Sequence, residues 1–294
     1  MKKALLITMA TTGLLAVSAN AAISMYAAWD LNEGTGTTTT QYQLGAGETW
    51  NQVTNPSASL AATASEAIST VGGSWGAASP APNSTASLTF ASGGNNDLDT
   101  NVSGTGLAGT GAKTFVAWIN PTGLDTTGGG ILSYSPQGGQ TNGADLRLLL
   151  DTNGDLRAEV SGGFFLYDST SLVGQGWTMV AAIFNGNTNT SSFYIGGTGI
   201  VTPTSVGARA INTSGTKGSG DSFLDIVLGG AQVDGRNFIG GIDMAAIYTG
   251  AATAAELDAI YANGIAVVPE PSTYALIGGL LALGLVVIRR RMRA

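Results

Sequence analysis

Lys113-Thr114-Phe115-Val116-Ala117-Trp118-Ile119-Asn120 decides the fold. Along a strand, Phe115, Ala117 and Ile119 share one face while Val116 and Trp118 share the other. Both faces are apolar, so both must be covered, and the segment belongs in the middle of a packed sandwich. Outward from it, apolar runs broken by Gly, Asn, Asp and Ser clusters predict further strands. These are Met25–Leu31, Ser87–Phe90, Gly130–Tyr134, Leu146–Asp151, Leu156–Ser161, Trp177–Phe184, Ser192–Ile195, Phe223–Leu228 and Phe238–Tyr248, besides Thr114–Asn120 itself. Asn153-Gly154 joins two of them as a hairpin signal, because both positions tolerate positive φ. One helix is expected near the end. Thr253 and Glu256 form a capping box, Leu257, Ile260 and Tyr261 an apolar stripe, and Asn263-Gly264 a stop.

Composition agrees with many strands and narrows the chemistry. The chain has 294 residues with 44 Gly and only 11% charged residues, far from the usual ~7% Gly and ~25% charge. It has no His and no Cys, which excludes a Ser-His-Asp or Cys-His nucleophile, thiolate or imidazole zinc sites and disulfides. The mean hydropathy of +0.21 is inflated by two apolar ends. Those ends hold six of the 12 Lys and Arg but only one of the 19 acids. Residues 22–268 therefore keep six cations against 18 acids, a net charge of −12. Such a domain repels phosphate backbones, so nucleic acid is not an expected partner.

Each end reads as an address. Lys2 and Lys3, the apolar stretch Ala4 to Val17 and Ala19-Asn20-Ala21 form a secretory signal peptide, residues 1–21, with cleavage expected after Ala21. At the other end Pro269-Glu270-Pro271 precedes the apolar run 273–288 and then Arg289, Arg290, Arg291 and Arg293. As a transmembrane helix the sixteen apolar residues span about 24 Å, short of a ~30 Å hydrocarbon core, a mismatch that arginine snorkelling and local thinning absorb. The basic cluster stays cytoplasmic, leaving the domain on the periplasmic side of the inner membrane. The order of these parts resembles the PEP-CTERM sorting signal of Gram-negative bacteria, here residues 267–294. That resemblance implies an exosortase-type transpeptidase as partner, removal of the tail near Pro269–Pro271, and delivery to the cell surface or extracellular polysaccharide.

The strands and helix make residues 22–266 an all-β domain, a two-sheet antiparallel jelly-roll sandwich with one short C-terminal helix. Their order resembles concanavalin A-like, laminin-G-type domains. The resemblance runs from Ala28-Trp29-Asp30-Leu31-Asn32-Glu33-Gly34 through Leu88-Thr89-Phe90, Lys113 to Ile119, Trp177 to Ala182 and Phe193 to Gly197. It closes on Gly240-Gly241-Ile242-Asp243, Ile247-Tyr248 and the Ala254-Ala255-Glu256-Leu257 helix. Residues 41–85, rich in Ser, Thr and Ala, are longer than that pattern expects. Met244 and Ala246 stand where it usually has an acid and a base.

Glycosidases share such folds, and need paired carboxylates about 5–5.5 Å apart for retention or about 6.5–9.5 Å for inversion. Glu33, Glu48, Glu66, Glu159 and Glu256 are too scattered to form such a pair on one strand. Asp151-Thr152-Asn153-Gly154-Asp155 reads as a turn rather than a Ca²⁺ loop, since its Gly is too early and no bidentate acid follows. The resemblance places Asp97 and Asp99 at a rim position for Ca²⁺. Trp29, Trp118 and Trp177 lie in strand motifs and read as core, leaving Trp50 and Trp75 as candidates for stacking on sugar. The resulting expectation is an exported, surface-anchored, non-enzymatic domain that binds extracellular polysaccharide or builds matrix. A secreted glycan hydrolase or lyase on the same fold, and a structural matrix component without a specific ligand, are the alternatives.

Overall fold

The structure, a computed structural model, describes residues 23–29, 31, 38–39, 41–43, 58–59, 61–62, 66–67, 74–91, 98–103, 107, 110–136, 146–160, 163–167, 171–186, 190–207, 224–230 and 236–265. The expectations for Ala19, Ala21, Trp50, Asp97, Pro269, Glu270, Pro271, Arg289, Arg290 and Arg291 fall outside these residues. So does the run 273–288, and among the described residues no helix is long and apolar enough to cross a membrane.

Two antiparallel sheets face each other. The larger has nine strands. Seven follow one path: β13 (Gly199–Val201), β12 (Ser191–Ile195), β11 (Thr178–Phe184), β6 (Lys113–Leu124), β16 (Phe238–Thr249), β1 (Ser24–Trp29) and β2 (Gln41–Gln43). The other two extend the end of β16, which pairs with β4 (Ser87–Phe90), itself paired with β3 (Ser74–Gly76). The second sheet has seven strands. Its order is β14 (Ser205–Val206), β10 (Gly163–Tyr167), β9 (Leu156–Val160), β8 (Leu146–Leu150), β7 (Gly129–Pro136), β15 (Leu224–Leu228) and β5 (Leu98–Ser103). Only three residues separate β13 from β14, so one stretch supplies the outermost strand of both sheets.

The segment that set the fold occupies the centre, as its two apolar faces require. Phe115, Ala117 and Ile119 of β6 enter the core between the sheets, with Trp29, Val180, Ala182, Phe184, Ala245 and Ile247 from the same sheet. Leu146, Leu148, Leu150, Leu156, Ala158, Phe165, Ile226 and Leu228 come from the other. Val116 and Trp118 join a second, outer cluster with Met179, Ala181, Ile183, Met244, Ala246 and Tyr248, roofed by Leu257, Ile260 and Ile265. Leu257 and Ile260 belong to α1, Ala254–Asn263, and Ile265 follows its C-cap. The helix starts where the sequence expects: Glu256 N–H donates to Thr253 Oγ1 at 3.3 Å, and Thr253 N–H to Glu256 Oε2 at 2.8 Å. Gly264 ends it at φ 90°. Tyr261 stacks on Trp118, 5.2 Å between centroids and 11° between planes. A Cβ on Gly196 would stand 2.6 Å from the Tyr261 ring, so glycine makes room for it.

β6 and β16 pair along their length with a bulge, where two residues of β16 oppose Ala117 between the Val116–Ala246 and Trp118–Asp243 pairs. Met244 takes φ 45° there. Asp243 is fully buried and accepts from the hydroxyls of Ser79 and Ser84, both at 2.6 Å. The 151–155 turn differs from the two-residue hairpin expected. Gly154 alone has positive φ, its N–H donates to Asp151 O, and Asp151 N–H donates to Asp155 O. This is a three-residue loop with a bulge, and Asp151 Oδ1 fixes it by accepting from the Asn153 and Asp155 amides at 2.8 and 3.0 Å.

Thr253→Ala removes the cap and should cost about 1 kcal/mol, read as a lower urea midpoint with unchanged slope. Lys113 is buried with its ammonium donating to Gly111 O at 2.7 Å, and burial lowers its pKa to about 8. Burial raises the phenols of Tyr194 and Tyr248, Tyr194 further through its bond to Asp258. Between pH ~8 and ~10 only the unfolded chain still holds the lysine proton, so stability rises with pH. Above ~10 the unfolded tyrosines ionise and the folded ones do not, so stability falls. Denaturation midpoints across pH 7–11 should show that maximum, and Lys113→Met should remove the rise while keeping the fall.

Candidate functional site

On the outer face of the seven-stranded sheet, strand register assembles a charged row. Arg147 of β8 lies directly opposite Ser133 of β7 on one side and Glu159 of β9 on the other. Glu159 in turn lies opposite Phe164 of β10, and Ser133 opposite Val227 of β15. Arg157, two residues before Glu159, shares its face. Arg236 arrives just before β16, anchored by its carbonyl accepting from Gly130 N–H at 3.2 Å.

The three arginines converge on one carboxylate. Arg147 Nη1 donates to Glu159 Oε1 at 3.3 Å, while Arg157 Nη2 and Arg236 Nη1 reach Oε2 at 3.0 and 2.6 Å. The Arg147 side chain is 1% exposed and Arg157 25%, so the cluster grades from buried to solvent-facing. The Arg157 guanidinium lies 4.5 Å over the half-buried Phe164 ring, which limits its rotamers. Burial lowers the Arg157 pKa, and the charge of Glu159 opposes that shift. Half of the six cations in residues 22–268 thus meet on one acid.

Five other carboxylates have structural duties. Asp125, at the turn between β6 and β7, is held below the usual carboxylate range by the Thr126 amide, with Asn237 adding a bond at 2.8 Å. Asp151 holds its turn, Asp243 the two serines, Glu256 the helix cap, and Asp258 accepts from Tyr194 at 2.8 Å. Among the described residues no group of three or more acids is placed to hold a metal ion.

A family model described as the concanavalin A-like lectin/glucanases superfamily matches residues 92–258, more than half of the chain. The chain belongs to that superfamily. Solved structures similar to this chain include domain 4 of AbnA, a GH43 extracellular arabinanase from Geobacillus stearothermophilus, in complex with arabinotriose. The match is 16% identical, covers 64% of this chain and 87% of that one, and has a TM-score of 0.43. The CBM40 of the Ruminococcus gnavus IT-sialidase is 15% identical, with 60% of this chain and 96% of that one covered and a TM-score of 0.45. A heptameric SAP-like pentraxin from Limulus polyphemus is 18% identical over 54% of this chain and 75% of that one, with a TM-score of 0.37. No curated protein matches.

Within this concanavalin A-like sandwich the expected site residues are dispersed. Asp99 lies in β5, in register with Val227, at the far end of the row that contains Arg147 and Glu159. Trp75, in β3, is half-buried and packs against the inter-sheet core. Trp29 and Trp118 are buried, and Trp177 packs in the outer cluster, where a Cβ on Gly241 would come within 2.7 Å of its ring. The arginine cluster is absent from the sequence-level candidates. Its signal was the hairpin: once the loop is centred on Asn153, Arg147 must face Glu159.

Glu159→Gln leaves three guanidiniums around a neutral acceptor and should cost about 3 kcal/mol, as when one partner of a buried ion pair is removed. Arg157→Met, at the exposed end, should cost under about 1 kcal/mol. Urea denaturation of both variants checks the order.

Proposed function

We propose that the protein is an exported, non-catalytic glycan-binding domain that presents Arg157, the solvent-facing end of its arginine cluster, to extracellular polysaccharide. The occupancy of Glu159 carries this reading. Both its oxygens already accept from guanidiniums, whereas a glycosidase acid must offer a proton-bearing oxygen to the leaving group and a nucleophile a free one. A carboxylate held in this way fixes arginines in place, and arginines fixed beside a half-buried aromatic suit recognition of a hydroxyl-rich surface.

Membership of a superfamily of lectins and glucanases is compatible with binding and with cleavage, and the engaged carboxylate supports the first. We also propose that the leader directs export with cleavage after Ala21. The tail holds the domain at the inner membrane until an exosortase-type enzyme acts at Pro269-Glu270-Pro271. Asp97 and Asp99 are the proposed Ca²⁺ ligands, and Trp50 a proposed stacking residue.

Titration of residues 22–268 with the host's exopolysaccharide, first in calcium and then in EDTA, should give saturable binding without release of reducing ends. Loss of binding in EDTA would assign it to Asp97 and Asp99. Retention would assign it to the arginine face, where Arg157→Ala should weaken it about tenfold, the effect of losing a charged hydrogen bond. Absence of binding in both buffers, or release of reducing sugar, overturns the proposal.

A further inference from the structure

We infer that, while the tail spans the inner membrane, the α1 side of the sandwich lies against the bilayer surface and the arginine face is held away from it. The inference rests on the tail reading above. Both ends of the described domain leave from one layer. Ile23 and Ile265 belong to the outer cluster beneath α1. Ile23 N–H donates to Glu256 Oε1 at 3.2 Å, and Ile265 O accepts from the Tyr248 hydroxyl at 3.0 Å.

The tether from that layer is short. Seven residues separate Ile265 from Thr273, where the apolar run begins, a reach of about 28 Å when fully extended. To put the arginine face on the membrane, the chain would have to pass around the domain. The sheet-to-sheet and helix-to-sheet layers are about 10 Å each. Crossing those layers alone takes about 20 Å of the tether, before the way to an edge of the sandwich is counted.

The surface on the α1 side fits the same orientation. The helix exposes Ala254, Ala255, Asp258, Tyr261, Ala262 and Asn263, with Asp258 their one charge and its carboxylate engaged by Tyr194. Tyr261, 37% exposed, is held rigid by Trp118, and Ile200, 40% exposed, lies on β13, which α1 touches. An amphipathic ring such as Tyr261 favours the headgroup level.

The absence of cysteine makes this testable with single labels. The mature chain from residue 22, tail included, is placed in phosphatidylethanolamine–phosphatidylglycerol vesicles containing a headgroup-nitroxide lipid. A fluorophore is attached at Ala262→Cys on α1 or at Ser205→Cys on the edge of the seven-stranded sheet, both exposed positions. Quenching should be several-fold stronger at 262 than at 205, and the difference should vanish when residues 273–294 are deleted. A chain that floats with the vesicles but quenches equally at both positions, or more at 205, overturns the orientation alone. A chain that does not float overturns the tail reading and the orientation with it.

Discussion

The pairing of β6 with β16 is the interaction on which the rest depends. Both strands are twelve residues long, and both bury side chains on two faces. One face closes the inter-sheet core, and the other requires α1 as a roof, so the helix is a consequence of the strands beneath it. The bulge between them has a chemical effect as well as a geometric one. It places Asp243 where Ser79 and Ser84 satisfy its carboxylate, and so ties the segment before β4 to the centre of the sheet. A buried carboxylate is tolerable only with such partners.

Most of this framework is legible in the sequence because burial imposes a period. The strands at Ser87–Phe90 and Leu146–Leu150 and the capped helix follow directly from alternation and from the Thr253–Glu256 pair. Six of the strands β1–β16 escape that reading, three of them for identifiable reasons. Gly163–Tyr167 is Gly-Phe-Phe-Leu-Tyr, apolar throughout, so no alternation marks it. Leu98–Ser103 has polar residues on both faces, and Gly199–Val201 is too short to show a period. The arginine cluster was hidden for a different reason. Its members lie at 147, 157, 159 and 236, and only strand register and the return of the chain to β16 unite them. Glu159 looks isolated along the chain and meets three guanidiniums in the fold.

Three guanidiniums on one carboxylate form an arrangement whose value lies in position more than in stability, because removing arginine and glutamate from water offsets much of their attraction. What is gained is a fixed array: Arg147 buried, Arg157 braced on Phe164, and Arg236 fastened through its own backbone to β7. Side chains held in this way have little rotamer entropy left to lose.

The stretch from Gly199 to Gly207 has a mechanical consequence. It pairs with β12 in one sheet, crosses at Thr202-Pro203-Thr204, and pairs with β10 in the other, where Thr204 and Gly207 amides donate to Leu166 and Phe164 carbonyls at 2.8 and 2.7 Å. A single ribbon is therefore stitched to both layers like a seam. Strain applied at this margin is shared between the layers, and neither can peel back there without loading the other. Val206 and Ile200 stay exposed along the seam, while Pro203, which lacks an amide hydrogen, interrupts the margin as a template for a neighbouring chain.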